Sequence, residues 1–192
     1  MKNLLAIIGF TVGVAQPSLL WAAGQASAPT ASADAAAIKQ FDDAVLKYMA
    51  MRKGVRSEVS GPVKDSTSSQ VNNASDALAG SIQRARQGAQ VGAIFTPSAA
   101  AVIKRRIAET VRTEKLEPAL ADIDDEGKAG PTPKVHLRLP ISAQMATMPP
   151  ALLKVLPQLP KELEYRIIGN YLVLRDVDAA LVVDYLPGAV PR

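Results

Sequence analysis

Leu163-Glu164-Tyr165-Arg166-Ile167-Ile168-Gly169-Asn170-Tyr171-Leu172-Val173-Leu174-Arg175-Asp176, continued by Val177-Asp178-Ala179-Ala180-Leu181-Val182-Val183-Asp184-Tyr185-Leu186, is the stretch that decides the fold. Gly169-Asn170 is a two-residue hairpin signal between two runs rich in branched and aromatic residues. A two-residue loop pairs 168 with 171, and the pairs count outward from there. Ile167 then faces Leu172 and Tyr165 faces Leu174 on one side of the sheet. Glu164 faces Arg175 on the other side, a favourable cross-strand charge pair. A slip of one residue would ruin both the apolar match and the charge match.

A four-residue turn over Asp176 to Ala179 would pair 175 with 180. Leu181, Val183 and Tyr185 would then join the apolar face, and Asp184 would point away from it. The expectation is a three-stranded antiparallel β-meander. Its buried face is Leu163, Tyr165, Ile167, Leu172, Leu174, Leu181, Val183 and Tyr185. A bare sheet of this size is not stable alone, so helices must cover that face.

The helices come from the N-terminal side. Asp34 is a plausible N-cap for a helix over Ala35 to Arg52, with Ile38, Phe41, Val45 and Tyr48 or Met49 on one face and Gly54 as its stop. A second helix is expected from Asp76 to Gln87, capped by Ser75 or Asn73, with Leu78, Ile82, Ala85 and Ala89 in line. Thr96-Pro97 is the sharpest helix start, since Thr caps free N–H groups and Pro suits the first helical position. That helix should reach Glu114 with Ile103, Ile107 and Val111 inside; Arg105, Glu109 and Arg112 lie opposite, with Arg105 and Glu109 able to pair. A further turn or two is expected within Glu117 to Glu126, a short strand over Val135 to Leu139, and a short helix over Ala151 to Leu156. The fold class is therefore α+β, with N-terminal amphipathic helices packed on a C-terminal meander.

The domain plan has three parts. Residues 1–24 have the layout of a signal peptide: Lys2, an apolar run from Leu4 to Val14, the break at Gln16-Pro17, then small residues. Cleavage fits after Gly24 or after Ala26; Pro29 disfavours cleavage after Ala28. The competing reading is an uncleaved anchor over Leu4 to Ala23, a length close to a bilayer span. Residues 25–33 read as a disordered spacer of Ala, Ser, Thr and Pro. Residues 34–192 read as one small α+β domain with a flexible, Ser-rich loop at 55–73, too poor in apolar side chains to be tied down.

Composition limits the chemistry. The chain has no Cys and one His, so thiol catalysis, disulfides and multi-His metal sites within one chain are ruled out. The formal net charge is +4, and losing Lys2 with the leader lowers it by one. Three Phe, four Tyr and one Trp, the Trp in the leader, supply base-stacking platforms poorly. Nucleic acid is therefore not an expected partner, and cytosolic nucleic acid would be out of reach after export.

Three groups are candidates for sites. Asp122-Ile123-Asp124-Asp125-Glu126-Gly127 begins like a calcium loop, but position twelve is Pro133 instead of a bidentate Glu, so it reads as a solvated acidic turn. His136 could be a general base or a lone metal ligand. No nucleophile or orienting carboxylate is evident beside it, and it reads as a rim histidine. Lys104-Arg105-Arg106 with Arg112 are spread around their helix and read as a solvated face; anionic headgroups or polysaccharide would be the fitting ligands otherwise. Ser-nucleophile and phosphate-loop motifs are absent. No catalytic, cofactor-binding or metal-ligating residue is assigned, and no cofactor is implied.

Gly92-Ala93-Ile94-Phe95-Thr96-Pro97, Pro149-Pro150-Ala151-Leu152-Leu153 and the run from Leu163 to Asp176 resemble an uncharacterised family of secreted bacterial proteins. The resemblance covers most of the mature chain and is weakest before Ser75; it brings no catalytic residues. The last 45 residues are also similar, more loosely, to the C-terminal module of the periplasmic nickel/cobalt-homeostasis regulator family. The shared pattern is a Pro-rich lead, Tyr-Arg, two apolar residues, Gly, an alternating strand, an Asp and a closing Val-Val-Asp. This resemblance implies an envelope location and hairpin topology, and its shared positions are not metal ligands.

The expected function is an exported, non-catalytic protein of the periplasm or cell exterior that binds another protein or an envelope component such as polysaccharide, with no stable membrane span after cleavage. An open meander offers edge strands to a partner strand. The alternatives are a carboxylate-based cell-wall hydrolase, which would need two converging acids with one pKa raised, and a metal-responsive accessory protein.

Overall fold

The computed structural model describes residues 31–59, 67–121, 131–139 and 148–191. The expected signal peptide and its expected cleavage sites, the first part of the expected spacer and the acidic run Asp122-Gly127 lie outside the described residues. The fold is α+β: four helices, α1 (Ala31–Glu58), α2 (Ser68–Ala85), α3 (Pro97–Glu114) and α4 (Pro150–Val155), precede strands β1 (Leu163–Ile168), β2 (Tyr171–Asp176) and β3 (Leu181–Leu186). A further helical turn spans residues 117–121. The sheet is antiparallel in the order β1-β2-β3. Helix α1 packs on α2 and α3, and α3 packs on α4. Among the described residues no helix is long and apolar enough to cross a membrane.

The first hairpin has the expected register: Glu164 opposite Arg175, Tyr165 opposite Leu174, Ile167 opposite Leu172. Gly169 has φ 55° and Asn170 is not in the left-handed region, the II′ pattern that matches strand twist. The second hairpin differs. Asp176 faces Leu181 and Arg175 faces Val182, and a bulge then moves the partner of Leu174 to Asp184. One extra residue in a strand flips every side chain beyond it. Asp184 therefore turns onto the helix side and is fully buried, and Tyr185 turns to the outer side, against Tyr171. Leu186 takes the core position expected of Tyr185. The bulge prevails because Asp184 has partners waiting on the helix side.

The core joins Phe41, Val45 and Tyr48 of α1, Leu78 and Ile82 of α2, and Ile103, Ile107 and Val111 of α3 to the inner sheet face. Phe41 also meets Phe95, with ring centroids 5.5 Å apart. Each large apolar side chain buried here stabilises the fold by roughly 1.5–3 kcal/mol. Ala85, expected on the buried line of α2, is exposed, and Ala79 takes its place inside.

Three boundaries need correction. Helix α1 starts before Asp34, whose carboxylate instead pairs with Arg105 of α3, so Arg105 is not tied to Glu109. The helix also runs through Gly54 to Glu58. A mid-helix Gly costs only about 1 kcal/mol, and beyond it Val55 packs against the core. Helix α2 begins at Ser68, so residues 55–58 and 68–73 of the expected flexible loop are helical. Its start is a capping box: the Thr67 hydroxyl accepts the Gln70 N–H, and the Gln70 side chain accepts the Thr67 N–H. Helix α3 starts and ends where Thr96-Pro97 and Glu114 imply, with Lys115 in the left-handed conformation after it.

The strand expected at 135–139 is reduced to one bridge, Arg138 to Leu181. The chain bends at His136, which has φ 69°. It still lies along β3: the His136 N–H donates to Val182 O at 2.9 Å, Val182 N–H to Leu137 O at 2.9 Å, and Leu139 N–H to Ala180 O at 2.8 Å.

Candidate functional site

Two buried acids lie on the helix side of the sheet, and both are saturated by the protein. Asp176 Oδ2 accepts the Tyr48 hydroxyl at 2.8 Å and Arg52 Nε at 2.6 Å; Oδ1 accepts the Ala179 N–H at 2.9 Å. Arg52 continues to Asp178 at 2.7 Å. Burial works against the charged Arg52, but its bonds to Asp176 and Asp178 prevail and raise its pKa. Burial and then the Asp176 charge raise that of the Tyr48 hydroxyl. Asp184 holds the loop ahead of α3, accepting N–H groups of Gly92 at 2.9 Å, Ile94 at 2.7 Å and Phe95 at 2.9 Å. Gly92 has φ 85°, which lets the loop curl around the carboxylate. These acids bind the sheet to α1 and to the α3 approach, a packing role.

Arg86 belongs to the same layer. Its guanidinium sits 5.2 Å from the centre of the Tyr48 ring and donates to Val183 O at 2.8 Å. Burial lowers its pKa. A shallow groove of about 420 Å³ opens beside it between α1 and the end of α2.

The outer face carries a second ionic cluster. Arg175, almost fully buried, donates from Nη1 to Glu164 Oε1 at 2.6 Å and from Nε to Leu139 O at 2.7 Å. Arg166 Nη2 donates to Glu164 Oε2 at 2.7 Å. Burial alone would raise the Glu164 pKa, but the bonds from Arg166 and Arg175 outweigh it and hold the carboxyl below its usual range. A general acid needs the opposite shift.

The two sheet edges are unlike. Residues 136–139 pair with the start of β3, at Ala180 and Val182, and farther along Arg86 takes Val183 O and the Asp184 carboxylate takes the Tyr185 N–H. On β1, the hairpin geometry turns the main-chain groups of Glu164, Arg166 and Ile168 toward β2. Glu162 O accepting from Val177 N–H at 2.9 Å follows the same alternation. The groups of Leu163, Tyr165 and Ile167 therefore point outward. The Leu163 N–H is taken by Pro160 O at 2.9 Å, while the N–H and C=O of Tyr165 and Ile167 have no partner among the described residues.

A groove of about 470 Å³ follows this edge. Four consecutive β1 residues, Leu163 to Arg166, line it, as only a groove along a strand edge allows. Its far wall is Met148, Leu153, Pro157 and Leu159, from α4 and its flanks. Leu153 is one of the few large apolar side chains left in solvent. The Tyr165 hydroxyl bonds to Pro157 O at 3.1 Å and so braces this wall against the strand. The arrangement suits an extended polypeptide, with main-chain bonds from one side and an apolar wall on the other.

The residues singled out in the sequence are not gathered here. His136 lies beyond the opposite edge; its O accepts from Gln83 and its Nε2 is buried without a partner. Burial, and then the Arg86 charge, lower its pKa. On α3, Arg105 is tied to Asp34 and Arg106 reaches Val155 O at 3.4 Å, so the basic run is split between packing partners. Among the described residues no cluster of three or more metal-ligating side chains occurs. The groove wall was missed because its residues are spread over α4 and the segment after it; the Pro-rich spacing of 149–160 marked turns and gave no hint that they would line β1. Compared with family models, with curated proteins and with solved structures, the chain matches none of them.

Proposed function

We propose that this is an exported, non-catalytic envelope protein that works by binding another protein, taking an extended segment of it along the open edge of β1. The observation that carries this reading is the contrast between the edges. Residues 136–139 pair along the start of β3, whereas the outward N–H and C=O groups of Tyr165 and Ile167 have no partner among the described residues, and Tyr165 lines a groove. Unpaired edges promote unwanted association and are usually blunted, so an edge left open beside a partly apolar groove is a docking feature. The layout of residues 1–24 supports export, to the periplasm or beyond.

The test is site-specific photo-cross-linking in intact envelopes. A photoreactive residue in place of Gln158, an exposed groove residue, should capture a polypeptide. The same residue in place of Arg105, on the exposed face of α3, should not. Capture at Arg105 with none at Gln158 would overturn the groove as the docking site. Export is read separately: the protein recovered from the envelope should begin after Gly24 or Ala26, and an intact N-terminus would refute cleavage.

A further inference from the structure

We infer that the segment received by the β1 edge is β1 of a second copy of this chain, related by a two-fold axis through Tyr165. This rests on the reading of that edge as a docking site and names its occupant. The argument is the order of charges. An antiparallel pairing of β1 with itself, centred on Tyr165, sets Tyr165 against Tyr165 and Leu163 against Ile167. It sets Glu164 of each copy against Arg166 of the other. Those are opposite charges directly across, in the favourable sense.

The main chain agrees with that register. The outward-facing residues are 163, 165 and 167, and these are the positions that exchange hydrogen bonds in it. Tyr165 N–H and C=O of each copy pair with those of the other, and each Ile167 N–H reaches the Leu163 C=O opposite. The Leu163 N–H, already bonded to Pro160 O, ends the ladder on either side. Glu164 and Arg166 then occupy non-hydrogen-bonded pairs, where opposite side chains come closest.

The side chains have capacity to spare. Among the described residues Arg166 uses only Nη2, toward Glu164. Glu164 accepts one bond at each oxygen, and a carboxylate oxygen can accept two. Charges that merely protect an edge repel a second copy of it. The order Glu-Tyr-Arg is instead self-complementary about its centre, as an isologous interface requires. The result is a continuous six-stranded sheet. A contact along one strand buries a modest area, so association is concentration-dependent.

The experiment is sedimentation equilibrium of the mature chain together with amide hydrogen exchange at several concentrations. The expected result is a monomer–dimer equilibrium in which the Tyr165 and Ile167 amides gain protection as dimer accumulates. Arg166→Glu, which sets Glu against Glu twice, should weaken dimerisation at least tenfold; Arg105→Glu should leave it unchanged. A strictly monomeric wild type, or a dimer whose Tyr165 and Ile167 amides exchange as in the monomer, would overturn the inference. If Arg166→Glu fails to fold, the exchange data on the wild type decide alone. A monomer that captures a different protein through Gln158 would defeat this inference and leave the docking site standing. A monomer that captures nothing there would defeat both.

Discussion

Arg52 of α1 reaches Asp176 at the end of β2 with Nε 2.6 Å from Oδ2, both side chains being almost wholly shielded from water. The pair joins positions 124 residues apart and sets how the longest helix lies on the sheet. Removing one member of a buried pair leaves the charge of the other uncompensated, a cost of about 3–5 kcal/mol. Arg52→Ala should therefore lower the unfolding free energy by about that amount in a urea titration. Asp178→Ala, which removes the half-exposed second partner of Arg52, should cost under about 1 kcal/mol. Equal effects from the two substitutions would show that the buried pair does not anchor the helix.

Asp184 offers a second test, because the bulge in β3 exists to bring it inward. Asp184→Asn keeps the shape but replaces one accepting oxygen with a donor, which faces N–H groups it cannot bond. Buried donors left without a partner cost roughly 1–3 kcal/mol each. The expected outcome is a loss in that range, with faster amide exchange at Gly92, Ile94 and Phe95 while the first hairpin is unaffected. Unchanged exchange at those three amides would refute the role given to Asp184.

The hairpin of β1 and β2 was legible because three local signals agreed: the Gly169-Asn170 turn, the apolar alternation, and Glu164 against Arg175. The pairing of β2 with β3 was not: the turn expected over Asp176 to Ala179 lies one residue later, with Asp176 paired to Leu181, and no turn length carries a sign of the bulge at Val183. The bulge is set by the loop at 92–95, distant in sequence. Helix periodicity found Phe41, Val45, Ile103 and Ile107, whose burial depends on spacing alone. It missed the first two turns of α2, because Ser68 to Asn73 face solvent and have no apolar line to detect. The open edge was legible only as a property of meanders in general. Which edge stays open depends on residues 136–139 folding back along β3, and that is a tertiary choice.

The start of α2 can be tested directly. Thr67 and Gln70 satisfy one another's main-chain donors, and nothing apolar anchors that turn. Thr67→Ala should cost about 1 kcal/mol, expressed as fraying of residues 68–74 with the rest of the domain intact. Protease cutting should rise within that segment first. A loss spread evenly over the domain would mean that the capping box is not what holds this turn.

Acid sensitivity should separate into two steps with different owners. Burial and the nearby Arg86 charge lower the pKa of His136 in the folded protein. The unfolded chain therefore binds a proton at higher pH than the folded one. As pH falls through the ordinary histidine value of about 6.5, protonation favours the unfolded state, and stability drops until the folded imidazole is charged as well. The group adds no such penalty above that range. Glu164 has its pKa lowered by Arg166 and Arg175, against the effect of burial. Its contribution is present above the ordinary glutamate value of about 4.3 and is lost as pH falls through the folded value. His136→Asn keeps a residue that tolerates the positive φ at this bend and removes the first step only. The wild type should lose stability as pH falls below about 6.5 in a denaturant series, while His136→Asn should lack that first loss, and both should decline together once Glu164 is protonated. A wild type flat across the upper window would show that the imidazole is freely hydrated, against its unpartnered Nε2 in the fold.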